Sequence, residues 1–129
     1  MYNLSDTHCK AVVTISTIKG YANGAYRVGL DFNTFTETLQ EIEEIKFADT
    51  SISWLVTPGK AVYKSAWGSP VGGEDVFVLE TDYTEYDKGK SISDWKKNVF
   101  DHAEYLRNYF SQETVRVTFI NNVSTTILR

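Results

Sequence analysis

The alternating stretch of residues 10–32 constrains the fold more than any other part of the sequence. It reads KAVVTISTIKGYANGAYRVGLDF, with apolar and polar residues alternating on both sides of Asn23-Gly24. An Asn-Gly pair favours a two-residue type I′ turn, because both positions need a positive φ. The pattern therefore predicts a β-hairpin in which Thr17 faces Leu30. One face of this hairpin is apolar, as in an antiparallel sheet that covers a core on one side.

Two amphipathic helices are predicted from the spacing of apolar residues farther along the chain. Thr34 and Glu37 form a Thr-x-x-Glu capping box at the start of the first helix. The second helix is predicted to begin near Ser91 or Ser93. Apolar residues in both segments recur every three to four positions, so each helix has one face that is expected to cover the sheet. These faces comprise Phe35, Leu39, Ile42 and Ile45 in the first helix, and Trp95, Val99, Ala103, Leu106 and Phe110 in the second.

Two further turn signals separate the remaining strands. Pro58-Gly59 favours a type II turn and Asn121-Asn122 tolerates a positive φ, so each pair predicts a hairpin. With another strand at 76–83, the predicted element order is ββαβββαββ. Because hairpins join most of the strands, we expect an α+β fold with a mainly antiparallel sheet and two helices packed on one face of it. Residues 1–129 are expected to form a single domain.

Composition argues against several classes of function. The formal net charge is −4, with 17 acidic and 13 basic residues, whereas neutralising nucleic-acid phosphates requires a basic surface. No apolar run approaches the ~20 residues that span a bilayer, and the first residues lack the pattern of a secretory signal. The single cysteine, Cys9, fits a reducing compartment. We therefore expect a cytoplasmic protein that binds neither nucleic acid directly nor membranes.

The stretch TEYDKGKSISDW, residues 84–95, contains a Gly-Lys-Ser triplet before a predicted helix. A nucleotide phosphate loop has another glycine five positions before Gly89, but this position holds Thr84. Such loops also belong to parallel sheets, so we expect no phosphate loop here. The helix N-terminus still offers free N–H groups to an anion. The residues that would surround such an anion are Lys88, Lys90, Ser91, Lys96 and Lys97.

No catalytic or metal-ligating set is evident in the sequence. Asp101 and His102 are neighbours on the second helix, but adjacent helical residues point in different directions, so the aspartate cannot easily orient the imidazole. We expect His102 to pack at the edge of the core. His8 and Cys9 are too few to hold a metal ion. The sequence therefore predicts a protein that is not an enzyme and that has no cofactor, no metal site and no catalytic residues.

The most suggestive surface is an acidic stretch that also carries tyrosines. Tyrosine suits protein interfaces, and clustered acids steer a basic partner toward the surface. The first hypothesis is a non-catalytic protein of the inhibitor, immunity or phage counter-defence type that binds another protein with a basic surface. An acidic surface that only protects an edge strand is the alternative. The residues expected to bind the partner are Glu74, Asp75, Glu80, Asp82, Tyr83, Glu85, Tyr86 and Asp87.

Two other functions stay open. One is a small-molecule or nucleotide binder that combines stacking on an aromatic ring with the lysine-rich helix N-terminus, with a homodimer interface as one place for the pocket. Its ligand is expected to be small and anionic. Its ligand-binding residues would be Trp67, Lys88, Lys90, Ser91, Lys96 and Lys97. The other is a hydrolase with His102 as its general base, which ranks third.

Overall fold

The computed structural model describes residues 2–5, 9–18, 29–84, 87, 89–123 and 125–128. Within them the chain forms β1 (Tyr2–Ser5), β2 (Cys9–Ile15), α1 (Phe32–Ile45), β3 (Leu55–Ala61), a short 3-10 helix (Ser65–Trp67), β4 (Glu74–Asp82), α2 (Ile92–Tyr109), β5 (Arg116–Asn121) and β6 (Thr125–Leu128). The predicted α+β class, with an antiparallel sheet and two helices, is confirmed. None of the helices among these residues is long and apolar enough to cross a membrane.

A four-stranded antiparallel sheet, in the order β3-β4-β2-β5, forms the centre of the fold. Every second residue of β2 is buried, because these residues face the helices. Val13 pairs with Leu79 of β4 and with Val117 of β5, so all three side chains lie on the same face of the sheet. The pair β1 and β6 forms a separate two-stranded sheet.

Both helices pack on this face and share one core with the sheet. The ring of Phe35 on α1 stacks on that of Phe77 on β4, with centroids 4.1 Å apart. Trp95 and Leu106 of α2 are 2% and 1% exposed. The predicted apolar faces of the helices are confirmed except at Ile45, which ends α1 and is 72% exposed.

The helix starts agree with the prediction at α2 and differ at α1. Ser91 caps α2 and accepts a hydrogen bond from the Asp94 N–H at 3.0 Å. At α1 the cap is Asp31, whose Oδ1 accepts from the Thr34 N–H at 2.7 Å. Because Asp is a stronger N-cap residue than Thr, the helix begins at Phe32, before the predicted capping box.

The predicted hairpin at Pro58-Gly59 is wrong. Both residues lie inside β3, where they pair with Phe77 and Val76 of β4. A proline lacks the N–H that a central strand requires, but β3 is an edge strand and tolerates it. A single strand therefore replaces the two that the Pro-Gly signal predicted.

The other two predicted turns have different outcomes. Asn122 has the predicted positive φ, at 61°, although among the described residues β6 pairs with β1 and not with β5. The Asn23-Gly24 turn lies outside the described residues. Next to it, the N–H of Leu30 donates to Thr17 Oγ1 at 2.8 Å. These two residues are therefore neighbours as predicted, but Leu30 is not in a strand.

Candidate functional site

A cleft opens where β3 stops short of the end of β4. The first residue of β3, Leu55, lies opposite Glu80, whereas β4 continues to Asp82 alongside β2. The chain before Leu55 leaves the sheet and runs toward the helices. A cleft of about 580 Å³ lies between residues 51–55, the end of β4 and α2. Small-molecule sites commonly measure about 300–1,000 Å³, so this cleft is large enough for a small ligand.

Acidic residues outnumber basic ones in the described lining of this cleft. Its described lining includes Glu80, Asp82 and Asp87, with Lys90 as the one basic residue. Behind them on β2, Lys10 Nζ lies 3.9 Å from Glu80 and 3.7 Å from Asp82, too far for ordinary hydrogen bonds. Asp82 Oδ1 is buried and accepts no hydrogen bond from the described residues. This oxygen is the one that faces the Lys10 ammonium, so its charge is partly offset although no hydrogen bond forms.

Asp87 shapes the loop at one side of the cleft. Its Oδ2 accepts a hydrogen bond from the Thr84 N–H at 2.9 Å, and its backbone carbonyl accepts from the Lys90 N–H at 3.0 Å. The hydroxyl of Tyr83 donates to the Lys90 carbonyl at 2.5 Å. These bonds bring Asp87 and Lys90 to the cleft that the end of β4 lines.

Two tryptophans are among the residues that line the cleft. Trp95 is almost fully buried and lies edge-on to Tyr83, with ring centroids 5.7 Å apart. Trp54 is half-buried and precedes β3. Indole rings stack on planar heterocycles and attract cations to their faces. The cleft therefore suits a ligand that has both a planar ring and a positive charge.

The predicted acidic surface lies partly in this cleft. Glu74 and Asp75 are at the other end of β4, where Glu74 accepts the Tyr63 hydroxyl at 2.8 Å and Asp75 pairs with Lys60 at 2.6 Å. The length of β4 separates them from the cleft. The members that line the cleft are Glu80, Asp82 and Asp87. The predicted residues that lie outside the described part of the chain are Glu85, Tyr86 and Lys88.

The lysines predicted to surround an anion also lie in different places. Lys90 lines the cleft. Lys96 Nζ lies 5.2 Å from the ring centroid of Phe119, and Lys97 forms an ion pair with Asp101 at 3.1 Å. Of these three lysines, Lys90 lies at the cleft, whereas Lys96 and Lys97 contact residues outside it.

Trp67, which was predicted to bind the ligand with its aromatic ring, does not line this cleft. It ends the 3-10 helix and is 70% exposed, with Lys64 Nζ 5.1 Å from its ring centroid. The tryptophan at the cleft is Trp54, which the sequence analysis missed. One feature of the sequence could have indicated that Trp54 lies at a site. It follows the polar residues Ser51 and Ser53, and this composition favours a loop before the strand.

His102 is buried in the core and does not line the cleft. Its carboxylate partner is Glu43 of α1, at 2.9 Å, and 59 positions separate the two residues in sequence. A hydrolase base must reach its substrate, so this burial gives the hydrolase hypothesis no accessible base. Within the described ranges, no group of three or more His, Cys, Asp or Glu is placed to hold a metal ion.

Two solved structures share this fold. A phage SAM lyase in complex with S-methyl-5′-thioadenosine matches it with a TM-score of 0.61 and 15% sequence identity, over 100% of this chain and 95% of that chain. A phage SAM lyase in the apo state matches with a TM-score of 0.54 and 13% identity, over 95% and 90% of the two chains. No protein-family model and no curated protein matches the sequence. At these identities the likeness shows a common fold.

This likeness contradicts the hypothesis of a non-catalytic inhibitor that binds another protein. Both neighbours are lyases, and one was solved with a nucleoside bound. The predictions of a binding-only function and of no enzyme are therefore wrong. The expectation of a small ligand agrees with the neighbour's complex, although S-methyl-5′-thioadenosine carries no negative charge. Neither a protein partner nor a homo-oligomer receives support from these comparisons.

Proposed function

We propose that this chain binds S-adenosylmethionine (SAM) in the cleft at the end of β4 and cleaves it to S-methyl-5′-thioadenosine. The likeness over the whole chain to phage SAM lyases suggests the reaction class. A fold alone does not define a function, so the cleft has to support the assignment. The observation that carries the proposal is a cleft of about 580 Å³ whose lining combines Asp82, Asp87, Lys90 and Trp54.

The groups of SAM match the chemistry of this lining. SAM has a planar adenine, a positively charged sulfonium, an ammonium and a carboxylate. Asp82 and Asp87 offer oxygen acceptors to the ammonium, and Lys90 offers a positive charge to the carboxylate. Trp54 offers an indole face on which adenine stacks.

The reaction requires the bond between the sulfonium sulfur and the γ-carbon of the methionine moiety to break. Sulfur keeps the electron pair and becomes a neutral thioether, so this leaving group needs no proton. If the carboxylate of SAM attacks the γ-carbon, a five-membered ring closes and the products are S-methyl-5′-thioadenosine and homoserine lactone. All atoms and charges balance without water or a cofactor. The protein then has to hold the carboxylate close to the γ-carbon, which is catalysis by positioning.

Charge placement in the cleft matters for the rate. The positive charge on sulfur decreases in the transition state, so a carboxylate beside the sulfonium would stabilise the substrate more than the transition state. The ammonium keeps its charge throughout the reaction. We therefore assign Asp82 to the ammonium and keep Trp54 for the adenine. A cytoplasmic location and a phage counter-defence role, in which the methyl donor is consumed, belong to this proposal.

The decisive experiment incubates the purified protein with SAM in ¹⁸O-labelled water and identifies the products by mass spectrometry. We expect S-methyl-5′-thioadenosine together with homoserine lactone. Homoserine that forms from the lactone carries the label in its carboxyl group, whereas direct attack of water on the γ-carbon labels its hydroxyl group. Absence of both cleavage and SAM binding would overturn the proposal.

The matched variants are Asp82→Asn and Asp75→Asn, which remove the same charge from the two ends of β4. Asp82→Asn is expected to lower kcat/KM about tenfold or more, because a hydrogen bond to a charged group is lost. Asp75→Asn is expected to keep wild-type activity, because Asp75 pairs with Lys60 away from the cleft. Equal activity of these two variants would argue against this location of the site.

A further inference from the structure

The buried carboxylate of Glu43 joins three parts of the molecule. It lies on α1 and is 8% exposed. Its Oε1 accepts a hydrogen bond from the Ile52 N–H at 2.6 Å, and its Oε2 accepts from the Trp54 indole N–H at 3.3 Å. Oε1 also lies 2.9 Å from His102 Nε2 on α2. A buried carboxylate is costly unless its partners satisfy it, and all of these partners come from other elements.

Both ring nitrogens of His102 face an oxygen atom. Nδ1 lies 2.8 Å from the carbonyl oxygen of Asn98 on the same helix. Nε2 lies 2.9 Å from Glu43 Oε1, so the ring connects α2 to α1. The ring of Phe47 stacks on the imidazole, with centroids 3.7 Å apart, and fixes its plane.

These bonds fix the chain at one wall of the candidate cleft. Asn98 Nδ2 donates to the Thr50 carbonyl at 2.9 Å, Glu43 accepts from the backbone of Ile52, and the same carboxylate holds the indole of Trp54. Residues 50–54 are thus tied at three points to the two helices. Ile52, Trp54 and Asn98 themselves line the cleft.

We propose that Glu43 and His102 are positioning residues that hold Trp54 in the orientation in which it contacts the ligand. This inference rests on the proposed function for the ligand's identity, but not for the network itself. Glu43 acts through the indole N–H of Trp54, and His102 acts by holding Glu43. Positioning of this kind matters because a small displacement of a binding group lowers activity strongly.

The test uses binding of S-methyl-5′-thioadenosine, measured by calorimetry, in Glu43→Gln, Trp54→Phe and the double variant. Trp54→Phe keeps an aromatic ring but loses the donor to Glu43 and part of the stacking surface of the indole. Each single variant is expected to bind about tenfold more weakly, because the ring at position 54 is no longer held in place and a small displacement of a binding group has a large effect. The loss of affinity in the double variant is expected to be much smaller than the product of the two single losses, because both changes break the same contact. Asp101→Asn, an exposed change beside His102, is the control and is expected to bind as wild type.

A spectroscopic measurement separates positioning from a merely structural role. The chain has three tryptophans, so 5-fluorotryptophan labelling gives three ¹⁹F signals, which Trp54→Phe and Trp67→Phe assign. Glu43→Gln is expected to shift the Trp54 signal in the ligand-free protein and to leave the Trp67 signal in place. An unshifted Trp54 signal, a wild-type affinity of folded Glu43→Gln, or additive losses in the double variant would overturn the inference.

The same variants decide the question if Glu43→Gln fails to fold or if the wild-type protein fails to bind the ligand. If Glu43→Gln does not fold, Trp54→Phe decides, and a wild-type affinity of this variant overturns the inference. If the wild-type protein binds neither SAM nor S-methyl-5′-thioadenosine, the proposed function fails. The positioning of Trp54 is then decided by the ¹⁹F shift alone.

Discussion

Leu55 of β3 lies directly opposite Glu80 of β4, and β3 has no residue opposite Asp82. The strand pairing therefore ends two residues before β4 does. The residues before Leu55 do not extend β3 but turn toward the helices, where the Ile52 N–H donates a hydrogen bond to Glu43. This early end of the edge strand creates the cleft, since a longer β3 would cover the end of β4.

The first prediction compares two tryptophans. Trp54→Ala is expected to weaken binding of S-methyl-5′-thioadenosine about tenfold or more, because stacking contributes about 1–3 kcal/mol per base. Trp67→Ala is expected to change the affinity less than about twofold, since Trp67 is exposed and lies outside the cleft. Isothermal titration calorimetry measures both dissociation constants. A larger effect of Trp67→Ala than of Trp54→Ala would place the ligand site at Trp67, as the sequence predicted.

The second prediction concerns the helix faces. Leu106→Ala is expected to lower the free energy of unfolding by about 2–5 kcal/mol, because the side chain is fully buried and leaves a cavity. Ile45→Ala is expected to change it by less than about 0.5 kcal/mol, because Ile45 is largely exposed. Urea unfolding followed by circular dichroism gives both values. A large loss for Ile45→Ala would mean that this residue is covered in solution.

The helix faces and the candidate site differ in how far the sequence could predict them. A face of α2 follows from residues three or four positions apart, so Val99 and Ala103 could be predicted from spacing alone. The cleft is formed by residues from the loop before β3, the end of β4 and α2, and its existence depends on where β3 begins. No local pattern encodes that pairing. Pro58-Gly59 favours a turn by its local preference, and only the place of β3 at the sheet edge explains why a strand forms there.

The same limit applies to the chemistry of the site. The acidic stretch was recognisable in sequence, but its division between the cleft and the far end of β4 was not. Asp75 has a close lysine partner on β3, whereas Asp82 has a lysine too distant for a hydrogen bond. That difference depends on cross-strand register. The partner of His102 was likewise hidden, because Glu43 lies on the other helix.

The third prediction concerns pH and the start of α1. The hydrogen bonds from Thr34 hold the pKa of Asp31 below its ordinary value. A carboxyl group whose pKa is lower in the folded state stabilises the fold above the unfolded pKa, and this stabilisation is lost as the pH falls through the folded pKa. Asp31→Ala is therefore expected to lower the Tm at pH 7. At pH values below about 3.9, the ordinary pKa of aspartate, the difference from wild type is expected to shrink.

Two further variants isolate the charge of Asp31. Asp31→Asn keeps a good N-cap acceptor but has no charge to lose, so its Tm is expected to approach that of wild type at low pH. Asp49→Asn changes the same charge beyond the end of α1 and controls for net charge. Differential scanning calorimetry at several pH values gives the curves. A gap between wild type and Asp31→Ala that stays constant with pH would contradict the prediction.

The fourth prediction uses the single cysteine of the chain as a reporter of core opening. Cys9 has no exposed surface, and burial raises the pKa of its thiol, which the nearby charge of Lys96 opposes only in part. Since only the thiolate reacts with a disulfide reagent, the folded protein is expected to react with dithionitrobenzoate far more slowly than the chain unfolded in urea at the same pH. The release of thionitrobenzoate, followed by absorbance, gives both rates. If the native rate rises with low urea, the core around β2 opens locally before the whole chain unfolds. Native and unfolded rates of similar size would instead show that β2 does not bury this thiol in solution.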